Sequence, residues 1–166
     1  MISLDLPGGY HSSQVKFLRK FASDKKLVFV RADSHQKSTY RHIRDEILYE
    51  DSLGTRRNVD FLFIDGDHTY TGVKQDFEMY SQLVSDGGII AFHDIVHFPN
   101  DRQVVEHHRE TVGGIENRHL RWSDGFVDCN VDRLWNEIRD EFKTREIISH
   151  PKQSWAGIGV IFKIRF

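Results

Sequence analysis

The sequence predicts an α/β fold, a doubly wound and mostly parallel sheet that ends in a C-terminal antiparallel hairpin. Short apolar runs alternate with segments of helical periodicity through the first 95 residues. That alternation is typical of a parallel sheet with helices packed on its faces. The last apolar run, Gly157–Ile164, instead has apolar residues at the alternate positions Ile158, Val160, Phe162 and Ile164, as a half-buried antiparallel strand does.

The stretch Val59–Ile95 contains the clearest strand–helix–strand pattern. Val59–Ile64 is almost wholly apolar, which predicts a strand buried on both faces. Thr69 is placed to cap a following helix, and the Asp-Gly-Gly sequence at 86–88 is expected to end that helix. Ile89–Phe92 is the next buried strand. These elements fit one right-handed βαβ unit.

The other predicted elements complete a β-α-β-α-β-α-β, loop, α-β-β order. They are a strand at Ile2–Leu6, a helix from Ser12 or Ser13, a strand at Leu27–Val30, a helix from about Ser38, a helix from Val131 to Phe142, and a strand pair at Glu146–Ser149 and Gly157–Ile164. Residues 97–126 are polar and rich in His and Arg, so we expect a long surface loop with a helix near Arg102–Thr111. No linker-like stretch divides the chain, which predicts one domain over residues 1–166.

The composition indicates which binding partners and which cellular compartment to expect. The 166 residues carry 23 basic and 25 acidic side chains, a formal charge of −2, so we expect neither nucleic acid nor an anionic membrane as partner. No apolar run is long enough to span a bilayer, and Met1 is followed by strand-like residues rather than a signal peptide. The single cysteine, Cys129, excludes an internal disulfide, fits a cytoplasmic location and is expected to be inert.

Polar side chains follow four predicted strands, where the carboxyl ends of parallel strands share one edge. They are Asp5, Asp33, Ser34, Asp65, Asp67, His68, His93 and Asp94. Any one of them has a structural explanation, since Asp5 precedes a Pro-Gly-Gly turn and Asp67 or His68 can cap a helix. Together they indicate ligand binding, because an acid at a strand end can accept hydrogen bonds from both hydroxyls of a ribose.

Asp65, His93 and Asp94 are candidate metal ligands. Two carboxylates and an imidazole from adjacent strands suit Mg²⁺ or Mn²⁺ that keeps several waters, and the histidine also admits a softer ion. His68 is a candidate general base, since the ordinary histidine pKa lies near working pH.

Several segments together resemble the class I S-adenosylmethionine-dependent methyltransferases. They are ISLDLPGG, FVRADSH, FIDGDHTY, DGGIIAFHDI, VDRLWNEI and SWAGIGVIF, and they cover residues 1–96 and about 127–165. The sequence is most similar to the small-molecule O-methyltransferase group that includes cephalosporin-hydroxylase-like and macrocin O-methyltransferase-like proteins. This resemblance implies a Rossmann-like, seven-stranded sheet whose last strand is antiparallel.

The resemblance also implies roles for individual residues. Asp5 matches the acid that holds the cofactor's ribose, while Asp33 and Ser34 match the adenine-side loop. Asp65 matches an acid near the methionine part of the cofactor and, in metal-dependent members, on the metal. The pair His93 and Asp94 matches two positions that commonly supply oxygen ligands in metal-dependent relatives. A histidine stands at one of them here, which bears on the identity of any metal.

The sequence departs from this family at its N-terminus. The family's first strand and glycine-rich loop normally precede ISLDL, whereas this sequence begins at Met1 in what matches the second strand. Three explanations are open: a natural chain that is longer, a smaller sheet in which the neighbouring strands close up, or a second copy that supplies the missing edge. The first two are favoured, and the fold is expected to be a shortened methyltransferase fold.

The leading functional hypothesis is S-adenosylmethionine-dependent O-methylation of a small molecule, with Asp65 and His68 at the catalytic centre and Mg²⁺ or Mn²⁺ on Asp65, His93 and Asp94. The absent glycine loop argues against full activity of this chain alone. One alternative is a catalytically impaired remnant that associates with a second copy through an open sheet edge. A lower alternative is a metal-dependent hydrolase built on the DGDH and HD sequences.

Overall fold

The computed structural model describes residues 1–7, 12–21, 27–50, 55–96, 129–150 and 156–164. Within it the chain forms two compact units, Met1–Arg57 and Asn58–Phe166. The single domain predicted over residues 1–166 stays a prediction. The predicted loop at 97–126, with its helix near Arg102–Thr111, lies outside the described residues.

The first unit is built on two parallel strands, β1 (Ile2–Asp5) and β2 (Val28–Arg31). They pair in register from Ile2 opposite Val28 to Asp5 opposite Arg31. Helix α1 (Ser12–Phe21) lies between them in the chain. This strand–helix–strand order confirms the predicted elements, because parallel neighbours need a crossover connection.

The second helix of this unit ends in a wider turn. Helix α2 (Lys37–His42) begins one residue before the predicted Ser38 and continues as a π-helical turn at Ile43–Ile47. Ile43 and Leu48 are buried. A short antiparallel pair follows, β3 (Tyr49–Glu50) with β4 (Thr55–Arg56), which the sequence did not predict.

The second unit is built on a four-stranded sheet in the order β5-β6-β8-β7. Its elements in chain order are β5 (Val59–Ile64), α3 (Tyr70–Tyr80), β6 (Val84–His93), α4 (Val131–Ile138), β7 (Lys143–Ile147) and β8 (Ile158–Phe162). Strands β5 and β6 are parallel, while β8 is antiparallel to both β6 and β7. The predicted C-terminal antiparallel hairpin is therefore confirmed, with β7 starting three residues earlier than expected.

The prediction that residues 86–88 end helix α3 is wrong. The helix ends at Tyr80, a 3₁₀ turn covers Ser81–Leu83, and the Asp-Gly-Gly sequence lies inside β6. The register passes from Val59 opposite Val84 to Phe61 opposite Ile89, so four residues of β6 bulge against one of β5. Gly87 has φ of 83°, which a glycine adopts without a side-chain clash.

One face of the second sheet carries the core. Phe92 and Ile161 are fully buried, and Phe92 packs on Trp135 of α4 with ring centroids 5.9 Å apart. Strand β5 is not buried on both faces as predicted, since Phe61 is 58% and Phe63 44% exposed while Ile64 is buried. Among the described residues, no helix has the length and apolar character needed to cross a membrane.

Gly159 is fixed by the indole of Trp135. A methyl group at Gly159 would lie 2.7 Å from two ring carbons of Trp135, and both residues are buried. We therefore expect Gly159→Ala to lower the free energy of unfolding by about 1–3 kcal/mol, since an overpacked core must shift. Urea denaturation measures this, with Arg145→Ala on the exposed β7 as the control expected to change stability by less than ~0.5 kcal/mol. Equal midpoints for the two variants would contradict the packing.

Cys129 belongs to the same core cluster and is 7% exposed. Burial raises the pKa of its thiol, because the thiolate is poorly solvated there. At pH 8 we expect alkylation of the folded chain by iodoacetamide to be slower than in urea, with the folded rate still rising above the ordinary cysteine pKa. Mass spectrometry of the single thiol gives both rates. The burial would be contradicted by equal rates in the two states.

Candidate functional site

The carboxyl ends of β5 and β6 form the candidate site. These parallel strands pair up to Ile64 opposite Phe92, so both end at the same edge of the sheet. Asp65 directly follows β5, and Asp94 directly follows His93, the last residue of β6. His68 lies in the loop that leads from β5 into α3.

Four of the predicted site residues come together at this edge. His68 Nε2 lies 3.3 Å from Asp65 Oδ1 and 3.5 Å from Asp94 Oδ2. His93 Nδ1 lies 3.0 Å from Asp94 Oδ1 and 3.5 Å from Asp65 Oδ1. Each imidazole therefore bridges the two carboxylates. We call Asp65, His68, His93 and Asp94 the rim cluster.

Asp94 is the most constrained member of the rim cluster. Its side chain is 7% exposed, against 43% for Asp65, 25% for His68 and 33% for His93. Its backbone has φ of 63°, in the left-handed region that few non-glycine residues adopt, although Asp tolerates it better than most. Strained backbone of this kind persists where surrounding structure over-determines it, and it concentrates at functional sites.

His93 supplies a buried nitrogen without a hydrogen bond. Its Nδ1 is close to Asp94 Oδ1, yet the pair lacks hydrogen-bond geometry, and this buried atom makes none to the described residues. An unsatisfied nitrogen facing two carboxylate oxygens is unfavourable by itself. A shared cation would satisfy all three atoms, and the ligand atoms of Asp65, His93 and Asp94 lie within 4.8 Å of one another.

The pair Asp65–His68 shifts both pKa values. The hydrogen bond between them raises the pKa of His68 and lowers the pKa of Asp65, while burial opposes both shifts. Neutral His68, the form that accepts a proton, therefore appears at higher pH than for an ordinary histidine. Asp65 correspondingly stays ionised to lower pH than an ordinary aspartate.

Asp67 has a structural task. Its Oδ1 accepts a hydrogen bond from the Thr69 backbone N–H at 2.9 Å. Thr69 in turn caps α3, accepting from the Gly72 backbone N–H at 3.1 Å, as predicted. A side chain at Gly72 would collide with the Asp67 carboxylate, so glycine is required there. Asp67 therefore orders the turn before α3, and the N-cap is Thr69 rather than Asp67.

The candidate cofactor residues of the first unit also share an edge. Asp5 ends β1, and its Oδ1 accepts from the Leu6 backbone N–H at 2.8 Å. Asp33 follows β2 and accepts from the His35 backbone N–H at 2.9 Å and from the Gln36 amide at 3.0 Å. The Gln36 hydrogen bond lowers the pKa of Asp33 most, followed by that of His35. Ser34 follows Asp33 at the same strand end.

Cys129 is the residue that sequence reasoning missed. Its sulfur, a ring nitrogen of His68 and a carboxylate oxygen of Asp94 lie within 4.8 Å of one another. The Asn130 backbone N–H donates to the His68 carbonyl at 2.8 Å, which brings the segment before α4 to the rim cluster. Cys129 is 35 residues beyond Asp94 in the sequence, so no local motif links them.

A family model described as a methyltransferase domain matches residues 7–95, more than half of the chain. A protein of Acanthamoeba polyphaga mimivirus, named uncharacterized protein R132, is 34% identical over 83 residues, which cover 48% of this chain and 38% of the viral protein.

Solved structures share the fold at low sequence identity. An O-methyltransferase family protein from Burkholderia thailandensis has a TM-score of 0.57 at 9% identity, covering 98% of this chain and 43% of that one. The O-methyltransferase TomG from Streptomyces achromogenes, in complex with SAM, has a TM-score of 0.54 at 12% identity, covering 99% and 61%. An O-methyltransferase from Bacillus cereus, in complex with SAH, has a TM-score of 0.51 at 15% identity, covering 98% and 62%.

The chain thus spans between about two fifths and three fifths of the length of these relatives. The predicted α/β fold with a terminal antiparallel hairpin is confirmed by these structural likenesses and by the observed strand pairing. Because the family model matches from residue 7, just after β1, to residue 95, just past β6, the chain belongs to the methyltransferase domain family.

Proposed function

We propose that this chain takes part in methyl transfer from S-adenosylmethionine to a hydroxyl group of a small molecule. The rim cluster carries this proposal, because it gathers a proton acceptor and candidate metal ligands at the ligand-binding edge of the sheet. Family membership supports the reaction class, and the similar O-methyltransferases solved with SAM and SAH support the donor. The family match also favours transfer over the hydrolase alternative.

Asp5, Asp33 and Ser34 would bind the adenosine part of the donor. Strands β1 and β2 are parallel neighbours, so these residues occupy one sheet edge, as in dinucleotide-binding folds. An Asp5 carboxylate fits the paired hydroxyls of a ribose, which are hydrogen-bond donors. Asp33, whose pKa is lowered by its neighbours, stays ionised and holds the loop that presents Ser34. Asp65 would contact the methionine part.

The reaction itself needs few groups. The acceptor oxygen forms a bond to the methyl carbon while the carbon–sulfur bond of the sulfonium breaks, leaving S-adenosylhomocysteine and one proton. Neutral His68 would take that proton at Nε2, with Asp65 and Asp94 stabilising the imidazolium that results. Positioning the two reactants in line supplies much of the rate enhancement.

Asp65, His93 and Asp94 fit a divalent metal ion. The Asp94 side chain is buried, and the buried His93 Nδ1 makes no hydrogen bond to the described residues. Mn²⁺ accepts imidazole more readily than Mg²⁺ does, so we propose Mn²⁺ ahead of Mg²⁺. Such an ion supplies Lewis acidity that lowers the pKa of a bound hydroxyl.

A second candidate function is association through the edge of the second sheet. β5 is the terminal strand of the order β5-β6-β8-β7, and its exposed Phe61 and Phe63 rings stack with centroids 6.3 Å apart. An exposed edge strand with aromatic side chains favours pairing with another chain. Light scattering tests this, since association requires a mass above 19.5 kDa.

Donor binding is tested by calorimetry with S-adenosylhomocysteine. We expect Asp5→Asn to weaken binding about 10- to 100-fold, because a hydrogen bond to a charged group contributes roughly 1.5–3 kcal/mol. Glu78→Gln, an exposed carboxylate change on α3, is the matched control and should bind as the unmodified chain does. If the unmodified chain gives no heat at millimolar ligand, the donor-binding proposal fails.

Metal binding is tested by electron paramagnetic resonance of Mn²⁺. We expect Asp94→Asn to weaken Mn²⁺ binding at least roughly tenfold, since loss of a ligand should cost no less than loss of a group that orients one. Asparagine keeps the shape and tolerates the left-handed backbone, so the fold should persist. Asp67→Asn is the control, because that carboxylate binds the Thr69 N–H instead. Equal affinity in the Asp94 and Asp67 variants would contradict the assignment.

A further inference from the structure

A second donor set overlaps the rim cluster but differs from it in chemistry. It consists of His68, Asp94 and Cys129, whose ligand atoms all lie within 4.8 Å of one another. It offers a thiol, an imidazole and a carboxylate. Cys129 and the Asp94 side chain are each 7% exposed, and the His68 side chain is 25% exposed.

The backbone holds these three residues in place independently of any ligand. The Asn130 N–H donates to the His68 carbonyl at 2.8 Å, and the Asp94 N–H donates to the Gly157 carbonyl at 3.0 Å. Cys129 lies two residues before α4, next to its N-cap Asn130, and Val131 at the start of α4 is 2% exposed in the core. Donor atoms carried by anchored backbone are preorganised for binding.

We propose that His68, Asp94 and Cys129 form a thiolate-containing site for Zn²⁺ or another divalent ion of similar softness. Thiolate sulfur binds Zn²⁺ and Co²⁺ well and is a poor ligand for Mg²⁺, which prefers oxygen. Three protein ligands leave the fourth tetrahedral position open to water or to a bound molecule. The site does not require methyl transfer and therefore goes beyond the proposed function.

The separations are compatible with such an ion. Metal–nitrogen and metal–oxygen bonds of about 2.0–2.2 Å and a metal–sulfur bond of about 2.3 Å place tetrahedral donors about 3.3–3.6 Å apart. The set of three lies within 4.8 Å, so side-chain movements of about 1 Å complete the coordination.

Asp94 belongs both to this set and to the Asp65–His93–Asp94 set. The single Asp94 carboxylate coordinates one ion better than it coordinates an ion at each of the two sites at the same time. Zn²⁺ and Mn²⁺ should consequently displace each other. His68 is also the residue proposed to accept the proton, at Nε2, so an ion bound to that nitrogen would remove the base.

Cobalt substitution tests the proposal with a readout independent of activity. Co²⁺ bound to a thiolate gives an intense near-ultraviolet sulfur-to-cobalt charge-transfer band, which imidazole and carboxylate ligands do not give. Cys129 is the single cysteine among 166 residues, so the band reports this thiol and not the ten histidines. We expect the band in the metal-free chain titrated with Co²⁺, and its loss when Zn²⁺ is added.

Variants assign the band to its ligands. Cys129→Ser should abolish it and weaken Zn²⁺ binding at least roughly tenfold. If the buried hydroxyl of the Cys129→Ser variant destabilises the fold, Cys129→Ala removes the thiol without introducing a polar group. Thermal denaturation establishes that each variant is folded. His93→Gln, which alters the rim cluster but not the thiolate set, should keep the band while weakening Mn²⁺ binding.

Two results would overturn the site: a folded unmodified chain without the sulfur band at saturating Co²⁺, or Zn²⁺ affinity unchanged in both Cys129 variants. Failure of S-adenosylhomocysteine binding with the band intact would remove the proposed function and leave this site standing. Binding of S-adenosylhomocysteine without the sulfur band would remove this site and leave the proposed function standing. The two proposals are therefore separable.

Discussion

The buried carboxylate of Asp94 is the constraint on which the candidate site depends. A carboxylate with 7% of its side chain exposed is costly by several kcal/mol unless opposite charge or hydrogen bonds compensate it. Two imidazole nitrogens face this carboxylate, His68 Nε2 at 3.5 Å and His93 Nδ1 at 3.0 Å, and His93 Nδ1 makes no hydrogen bond to the described residues. Both imidazoles come from the edge at which the parallel strands β5 and β6 end, so strand pairing brings them to Asp94.

The sheet makes this arrangement rigid. Strand β6, which precedes Asp94, lies between β5 and β8, and its Phe92 is fully buried. The left-handed backbone at Asp94 directs its N–H to the Gly157 carbonyl, and Gly157 itself has φ of 88°. A side chain at Gly157 would press on Val96 at 2.8 Å. Strain at Asp94 is thus held by neighbours that admit little movement, which is how a reactive cluster keeps its geometry.

Features governed by local physics were predictable from the sequence, and those governed by tertiary contact were not. The Thr69 cap and the strand end at Asp65 follow from residue type and periodicity over a few residues. The 86–88 bulge was mistaken for a helix end because glycine marks both, and only pairing with β5 distinguishes them. Phe61 and Phe63 were expected to be buried because an apolar run does not reveal which of its faces is covered. Cys129 lies 61 residues beyond His68 in the sequence, so no local spacing predicts that the two approach each other.

The donor types around Asp94 bear on which ions the edge prefers. A site of three carboxylates would supply three negative charges and suit Mg²⁺. Asp65, Asp94 and His93 instead supply two carboxylates and one neutral nitrogen donor. Each replacement of oxygen by nitrogen or sulfur moves preference toward ions later in the first transition series. Cys129 adds a sulfur donor within 4.8 Å of the ligand atoms of His68 and Asp94. By the family resemblance, His93 stands at a position where an oxygen ligand is common, and Cys129 adds a sulfur donor near His68 and Asp94. Both donors would favour a borderline transition metal over Mg²⁺ at the proposed sites.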